Sequence, residues 1–181
     1  MGIRLLVADD HAAVRAGVAG IVCGTDIEMA GEVEGARKIV EEVAARRPDV
    51  VLLDLRLGKD DGFAALEAIH QKFPELAVLI FSASENLAEL TRAHQLGACG
   101  YVSKTVDRES LLASIRKAFQ NHHAWTRPQL RRIHSVQETQ QHDSTTDAYL
   151  TPREREVLAK LVDGLINDDI AAALNIQAET V

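Results

Sequence analysis

Through the first 120 residues, short apolar runs alternate with stretches in which apolar positions recur at helical spacing. That alternation is the pattern of a parallel sheet covered by helices on both faces. The runs predict strands at Ile3–Ala8, Ile27–Val33, Val50–Leu53, Ala77–Phe81 and Cys99–Val102. The intervening stretches predict helices at Ala12–Val22, Ala36–Arg46, Phe63–Lys72, Leu87–Leu96 and Arg108–Phe119. Arg47-Pro48-Asp49 and Phe73-Pro74-Glu75 each close a helix before a strand, and Gly97 stands where a helix C-cap is expected. Five such right-handed units predict an α/β domain, a doubly wound five-stranded parallel sheet in the flavodoxin-like order 2-1-3-4-5, over residues 1–120.

From Asn121 to Tyr149 the apolar period is lost and Gln, His, Ser and Thr dominate, which reads as a linker. His122, His123, His134 and His142 fall within it, at spacings that fit no compact metal site. Helical signals resume at Leu150. Thr151-Pro152-Arg153-Glu154 combines an N-cap, a proline at the first helical position and a reciprocal acid at the third. Val157, Leu158, Leu161 and Val162 form one apolar face, Gly164 ends it, and Asn167 caps a second short helix carrying Ile170 and Leu174. A third helix begins near Gln177, and the chain stops at Val181. Residues 150–181 therefore read as a small, incomplete all-α piece.

Composition narrows the class. The formal net charge of -7 over 181 residues opposes generic attraction to nucleic acid or anionic membrane, so any DNA contact must be local. The first apolar stretch is cut short by Asp9, too early for a signal peptide, and no later one reaches the ~20 apolar residues of a membrane span. The expected location is the cytoplasm. Cys23 and Cys99 lack metal-ligand spacing and read as buried free thiols in a reducing compartment.

In an open parallel sheet, ligands gather beyond the carboxyl ends of the strands. Asp9 and Asp10 end the first predicted strand and Asp54 ends the third, its expected neighbour. Three converging carboxylates repel one another unless a hard, oxygen-liganded cation such as Mg2+ neutralises them. A carboxylate beside such a cation can attack an activated phosphorus and form an acyl phosphate if other groups absorb the charge on the transferred oxygens. Ser82 and Lys104, following the fourth and fifth strands on the same rim, supply a hydroxyl and an ammonium for that purpose. Each alone reads equally well as a cap or turn residue. Together, at the ends of four strands, they make a phosphate trap.

Val7-Ala8-Asp9-Asp10-His11, Val51-Leu52-Leu53-Asp54-Leu55, Phe81-Ser82-Ala83 and Gly100-Tyr101-Val102-Ser103-Lys104 resemble the motifs of response-regulator receiver domains of the NarL/FixJ subgroup, over residues 2–120. The resemblance implies a two-component regulator that accepts a phosphoryl group from a sensor histidine kinase on Asp54. It implies direct Mg2+ ligands from Asp10, Asp54 and the Arg56 backbone carbonyl, with Asp9 acting through water. It also implies that Lys104 meets the phosphoryl charge, that the Ser82 hydroxyl moves toward it, and that Tyr101 is the aromatic that swings inward in response. The expected consequence is a change in the face of the fourth helix, fifth strand and fifth helix, toward a homodimer or a released output. One departure is Gly58, four residues after the acceptor, where the family usually has proline. The loop keeps its length and is expected to be looser, which bears on the lifetime of the phosphoryl group. Arg56 is either a solvated surface arginine or a group that reaches over the site and slows attack by water.

Leu150-Thr151-Pro152-Arg153-Glu154-Arg155-Glu156-Val157-Leu158, Gly164 and Ile170-Ala171-Ala172-Ala173-Leu174 resemble the first two helices of a LuxR-type helix-turn-helix. Thr180-Val181 then resembles the start of the recognition helix, the element that enters the major groove. The expectation is a truncated helix-turn-helix: the complete protein binds DNA, and this chain does not bind it specifically. Gln177, Glu179 and Asp168-Asp169 depart from the usual capping and basic residues. The function expected is phosphorylation-controlled transcription, not metabolic catalysis beyond the receiver's own phosphoryl acceptance and slow loss. The alternative is a phosphorylation-independent interaction module. A haloacid-dehalogenase-like phosphohydrolase is disfavoured by Arg56, two residues after Asp54, where such enzymes carry a second aspartate. No Gly-rich nucleotide loop follows any strand.

Overall fold

The computed structural model describes residues 2–58 and 60–135. The predicted helix-turn-helix and the second half of the predicted linker lie outside them. The described residues form a parallel sheet of β1 (Ile3–Ala8), β2 (Ile27–Val33), β3 (Val50–Leu53), β4 (Ala77–Ser82) and β5 (Gly100–Ser103), in the spatial order β2-β1-β3-β4-β5. The helices are α1 (Ala12–Val22), α2 (Ile39–Arg46), α3 (Gly62–Lys72), α4 (Leu87–Gln95) and α5 (Arg108–Asn121). A turn of 3-10 helix, Ala36–Lys38, precedes α2, so the predicted helix over 36–46 is built in two geometries. β4 and β5 each extend one residue beyond prediction, which makes Ser82 the last residue of its strand. The C-terminal ends of β1, β3, β4 and β5 meet on one rim.

Burial follows the period of two within each strand. Leu6, Ala8, Val51, Leu53, Val78 and Ile80 pack toward Ile39, Val43, Leu66, Ile69, Leu90 and Ala93 of α2, α3 and α4. The alternate residues Leu5, Val7, Val50, Leu52, Leu79 and Phe81 pack toward Val18, Val22, Leu111, Ile115 and Ala118 of α1 and α5. With helices on both faces, the inner strands β3 and β4 have no solvent side, and every one of their residues is buried. Register carries the acceptor to the rim: Ala8 pairs with Leu53, and Leu53 with Ile80.

Helix starts are fixed by side-chain caps where loops carry the right residues. Asp61 accepts from Phe63 N at 2.9 Å, Asn86 from Glu89 N at 2.8 Å, and Asp107 from Ser110 N at 2.8 Å. Between Asp54 and α3, Arg56–Leu57 and Asp60–Asp61 form a two-residue antiparallel ladder that the sequence pattern does not announce, because two pairs are too few to create a period.

Two expectations are corrected. Cys99 is buried, its thiol pushed up to about 12 by burial, whereas Cys23 sits at the exposed C-terminal end of α1. The segment predicted as linker from residue 121 also contains a packed helix over 127–135. Ala124, Trp125, Gln129 and Ile133 are buried, and Leu130 packs against the core on the α4 side. Their apolar positions are too widely spaced among His, Arg and Gln to show a helical period. The cap was readable: Thr126 N–H donates to Gln129 Oε1 at 3.0 Å, and Gln129 N–H reaches Thr126 Oγ1 at 3.4 Å.

Candidate phosphoacceptor site

The β1–α1 turn sets the acidic pair. Asp9 is 1% exposed and its N–H donates to Val33 O, which extends the β1–β2 ladder past the strand end. His11 N–H donates to Asp9 Oδ1 at 2.8 Å and fixes the carboxylate rotamer. Asp10 is partly exposed, with its Oδ1 2.6 Å from His11 Nδ1. On the neighbouring strand, Asp54 N–H donates to Ala8 O at 2.8 Å, and Arg56 N–H to Asp54 Oδ1 at 3.2 Å. Asp54 is 3% exposed. One ligand atom each from Asp9, Asp10, His11 and Asp54 lie within 4.8 Å of one another.

Lys104 completes the cluster. Its backbone N–H donates to Ser82 O, which ties the end of β5 to the end of β4. Its ammonium donates to Asp54 Oδ2 at 2.7 Å and stands 2.7 Å from Asp9 Oδ2. The latter approach leaves that buried oxygen without a hydrogen bond. Burial pulls the Lys104 pKa down, but the hydrogen bond to Asp54 and the close carboxylates of Asp54 and Asp9 outweigh it and hold the ammonium above its ordinary value. A single cation among three carboxylates leaves a net negative pocket of oxygen donors, with two buried carboxylate oxygens, Asp9 Oδ2 and Asp10 Oδ1, without a hydrogen bond. Those residues fit a hard divalent ion.

Ser82 is buried, 2% exposed, and its Oγ accepts from Ser84 N–H at 3.3 Å. Tyr101 is 2% exposed, and its hydroxyl donates toward Ser84 O at 2.7 Å and Glu89 Oε2 at 3.1 Å. Burial raises its pKa well beyond the usual tyrosine value. The ring expected to swing inward is therefore already buried. Arg56 is exposed on the ladder beside the site. Gly58, at the position where a proline was expected, has φ +66°, a conformation closed to proline. The ladder turns through a left-handed residue there. The structure thus brings Asp9, Asp10, Asp54, Ser82 and Lys104 to one rim.

Two residues escaped the sequence reading. Arg15, 7% exposed, donates to Asp9 O at 2.8 Å, Glu32 Oε2 at 2.9 Å and Glu34 Oε1 at 2.7 Å, clamping the acidic turn to β2 and the loop after it. A lone arginine on a helix carries no signal that it is buried. Gly62 is the other: a Cβ there would lie 2.5 Å from Asp54 O, so only glycine lets α3 start beneath the acceptor.

Known proteins match this arrangement. The response regulator receiver domain family matches residues 5–116, more than half of the chain, and the luxR family of bacterial regulatory proteins matches 148–181. The chain belongs to the response regulators of two-component systems, with a receiver followed by a LuxR-type DNA-binding region. It is 28% identical to the response regulator protein VraR of Staphylococcus saprophyticus, over 100% of this chain and 86% of that protein. It is also 28% identical to the transcriptional regulatory protein DegU of Brevibacillus brevis, over 99% of this chain and 83% of that one. Among solved structures, the receiver domain of the putative response regulator NarL from Mycobacterium tuberculosis matches with a TM-score of 0.63 and 28% identity, over 66% of this chain and 98% of that one. A LuxR-family response regulator from Aurantimonas shares the fold at TM-score 0.68 and 24% identity, over 76% of this chain and 99% of that one. Such proteins are regulators of transcription, and their receivers typically bind Mg2+ at an acidic pocket such as the one seen here. Among the described residues, no helix is long and apolar enough to cross a membrane.

Proposed function

We propose that Asp54 is the phosphoryl acceptor of this regulator, that Asp9, Asp10, Asp54 and the Arg56 carbonyl hold Mg2+, and that Ser82, Tyr101 and Lys104 carry the consequence to the output. The observation that bears this reading is the pairing of Lys104 Nζ with both Asp54 and Asp9 at 2.7 Å at a buried strand rim. An Asp54 carboxylate oxygen attacks the phosphorus of a kinase phosphohistidine. The new P–O bond forms as the P–N bond breaks, and the imidazole leaves with a proton. Mg2+ held by Asp9, Asp10, Asp54 and the Arg56 carbonyl would supply neutralising charge for the transferred oxygens. Lys104 passes from carboxylate to phosphoryl oxygen, and the Ser82 hydroxyl donates to another. Water attack on phosphorus later restores the carboxylate, a slow self-dephosphorylation rather than turnover of a metabolite.

The partners under this reading are a sensor histidine kinase and, through the LuxR-type region, DNA. The location is the cytoplasm, and a homodimer forms through α4, β5 and α5. The receiver spans residues 1–120 with the packed segment 124–133 seated against it, a linker follows to 149, and the helix-turn-helix occupies 150–181. Incubation with acetyl phosphate and Mg2+, followed by borohydride reduction, should convert Asp54 to homoserine in the peptide that contains it. Reduction at another residue, or none, contradicts the assignment and favours a phosphorylation-independent interaction module.

A further inference from the structure

An outer strand of a parallel sheet exposes a row of unpaired backbone groups. β5 is such a strand, at the far edge from β2. Its edge is occupied by the chain's own residues 124–133. Ala124 N–H donates to Cys99 O at 2.6 Å, Trp125 Nε1–H to Ala98 O at 2.9 Å, and the Gln129 amide Nε2 to Tyr101 O at 3.0 Å. Trp125 packs edge-on against His94 of α4, ring centroids 5.3 Å apart, and lies 6.4 Å from the Tyr101 ring. Arg132 Nη2 donates to Glu85 O at 3.1 Å in the β4–α4 loop. This segment leads directly toward the LuxR-type region at 148–181.

The contacts trace back to the acceptor. Ser82 Oγ holds Ser84 N–H, Ser84 O holds the Tyr101 hydroxyl, and the next residue, Glu85, offers its carbonyl to Arg132. Lys104, paired with Asp54, lies three residues beyond Tyr101 on the same chain segment. A phosphoryl group that draws Ser82 and Lys104 toward it therefore pulls on Ser84 and, through it and the chain, on Glu85 and Tyr101, two of the residues that hold the segment. Gln129 joins two roles: its Oε1 caps its own helix through Thr126 N–H, and its amide nitrogen holds the receiver. Undocking breaks the second bond and spares the first.

Resting on the reading of Asp54 as acceptor, we propose that the β5 edge is a docking surface for residues 124–133, and that phosphoryl acceptance releases this strap and so frees the connection to the DNA-binding region. The release is reciprocal: whatever undocks the strap makes phosphoryl acceptance more favourable by the same factor.

Trp125 is the one tryptophan of the chain and reports on the strap directly. The 181-residue chain is treated with acetyl phosphate and Mg2+, and intact mass and Trp125 fluorescence are followed in the same sample. The expected result is an emission shift to longer wavelength, with acrylamide quenching roughly doubled or more, in proportion to the phosphorylated fraction. Gln129→Glu retains an oxygen for the cap but cannot donate to Tyr101 O, so it should show the exposed signal without phosphorylation while keeping its far-UV circular dichroism. Complete phosphorylation with an unchanged Trp125 signal overturns the release and leaves the acceptor standing. A wild-type signal in Gln129→Glu overturns the docking role of Gln129. Absence of any phosphoryl uptake overturns the acceptor reading, and the release with it.

Discussion

At the scale of single residues, the site is an electrostatic compromise. Asp9 and Asp54 are both buried and share one ammonium, with Asp10 close by. Removing one carboxylate removes repulsion, so Asp54→Asn should stabilise the protein by about 1–2 kcal/mol in chelator. That gain should shrink when Mg2+ is added, because the ion binds and stabilises the wild-type pocket more strongly. Urea unfolding with and without Mg2+ measures both, and a destabilised Asp54→Asn in chelator contradicts the picture. Lys104 gives a pH dependence of definite sign. Its native pKa lies above the ordinary 10.5, so its stabilisation is fully present below that value and is lost as pH rises through the higher native pKa. The urea midpoint of the wild type should therefore fall at alkaline pH more steeply than that of Lys104→Met, and parallel curves refute the contribution. The motif residues of the site were legible in the sequence because acids, a hydroxyl and a lysine at strand ends carry a chemical signature. Arg15 was not, because its role depends on Glu32 and Glu34, which only the fold brings to it.

At the scale of elements, strands and helices were read to within a few residues wherever the apolar period was strong, as in β3 and β4, whose residues are all buried. The pattern failed where backbone geometry decides. The ladder of Arg56–Leu57 with Asp60–Asp61 and the left-handed Gly58 are conformations without a hydrophobic period. The helix over 127–135 was hidden among polar residues, although Thr126 and Gln129 spelled its cap. α3 shows how one element disciplines the site: Gly62 N–H donates to Leu55 O at 3.1 Å, and a methyl group there meets the Asp54 carbonyl. Gly62→Ala should cost ~1–3 kcal/mol by overpacking and slow phosphoryl acceptance by displacing Asp54. Urea unfolding and acetyl phosphate kinetics check each part, and an unchanged rate would show that the acceptor loop adapts freely.

At the scale of the whole molecule, the receiver follows from alternation alone. Buried strands demand helices on both faces, a parallel sheet puts loop residues on one rim, and the rim collects the acids. The sequence order of the acids could be read directly. The engagement of Lys104 with two carboxylates and the strap over β5 arise only in the fold, since both join residues distant in sequence, 50 positions apart for Lys104 and Asp54 and 28 for Gln129 and Tyr101. The central claim, that this rim accepts a phosphoryl group on Asp54, is tested most directly by the intact mass of wild type and Asp54→Ala after incubation with acetyl phosphate, with Mg2+ or with chelator. The account requires a gain of one phosphoryl group in the wild type that depends on Mg2+ and is absent from the variant. An equal gain in Asp54→Ala, or no gain in the wild type under any condition, contradicts it.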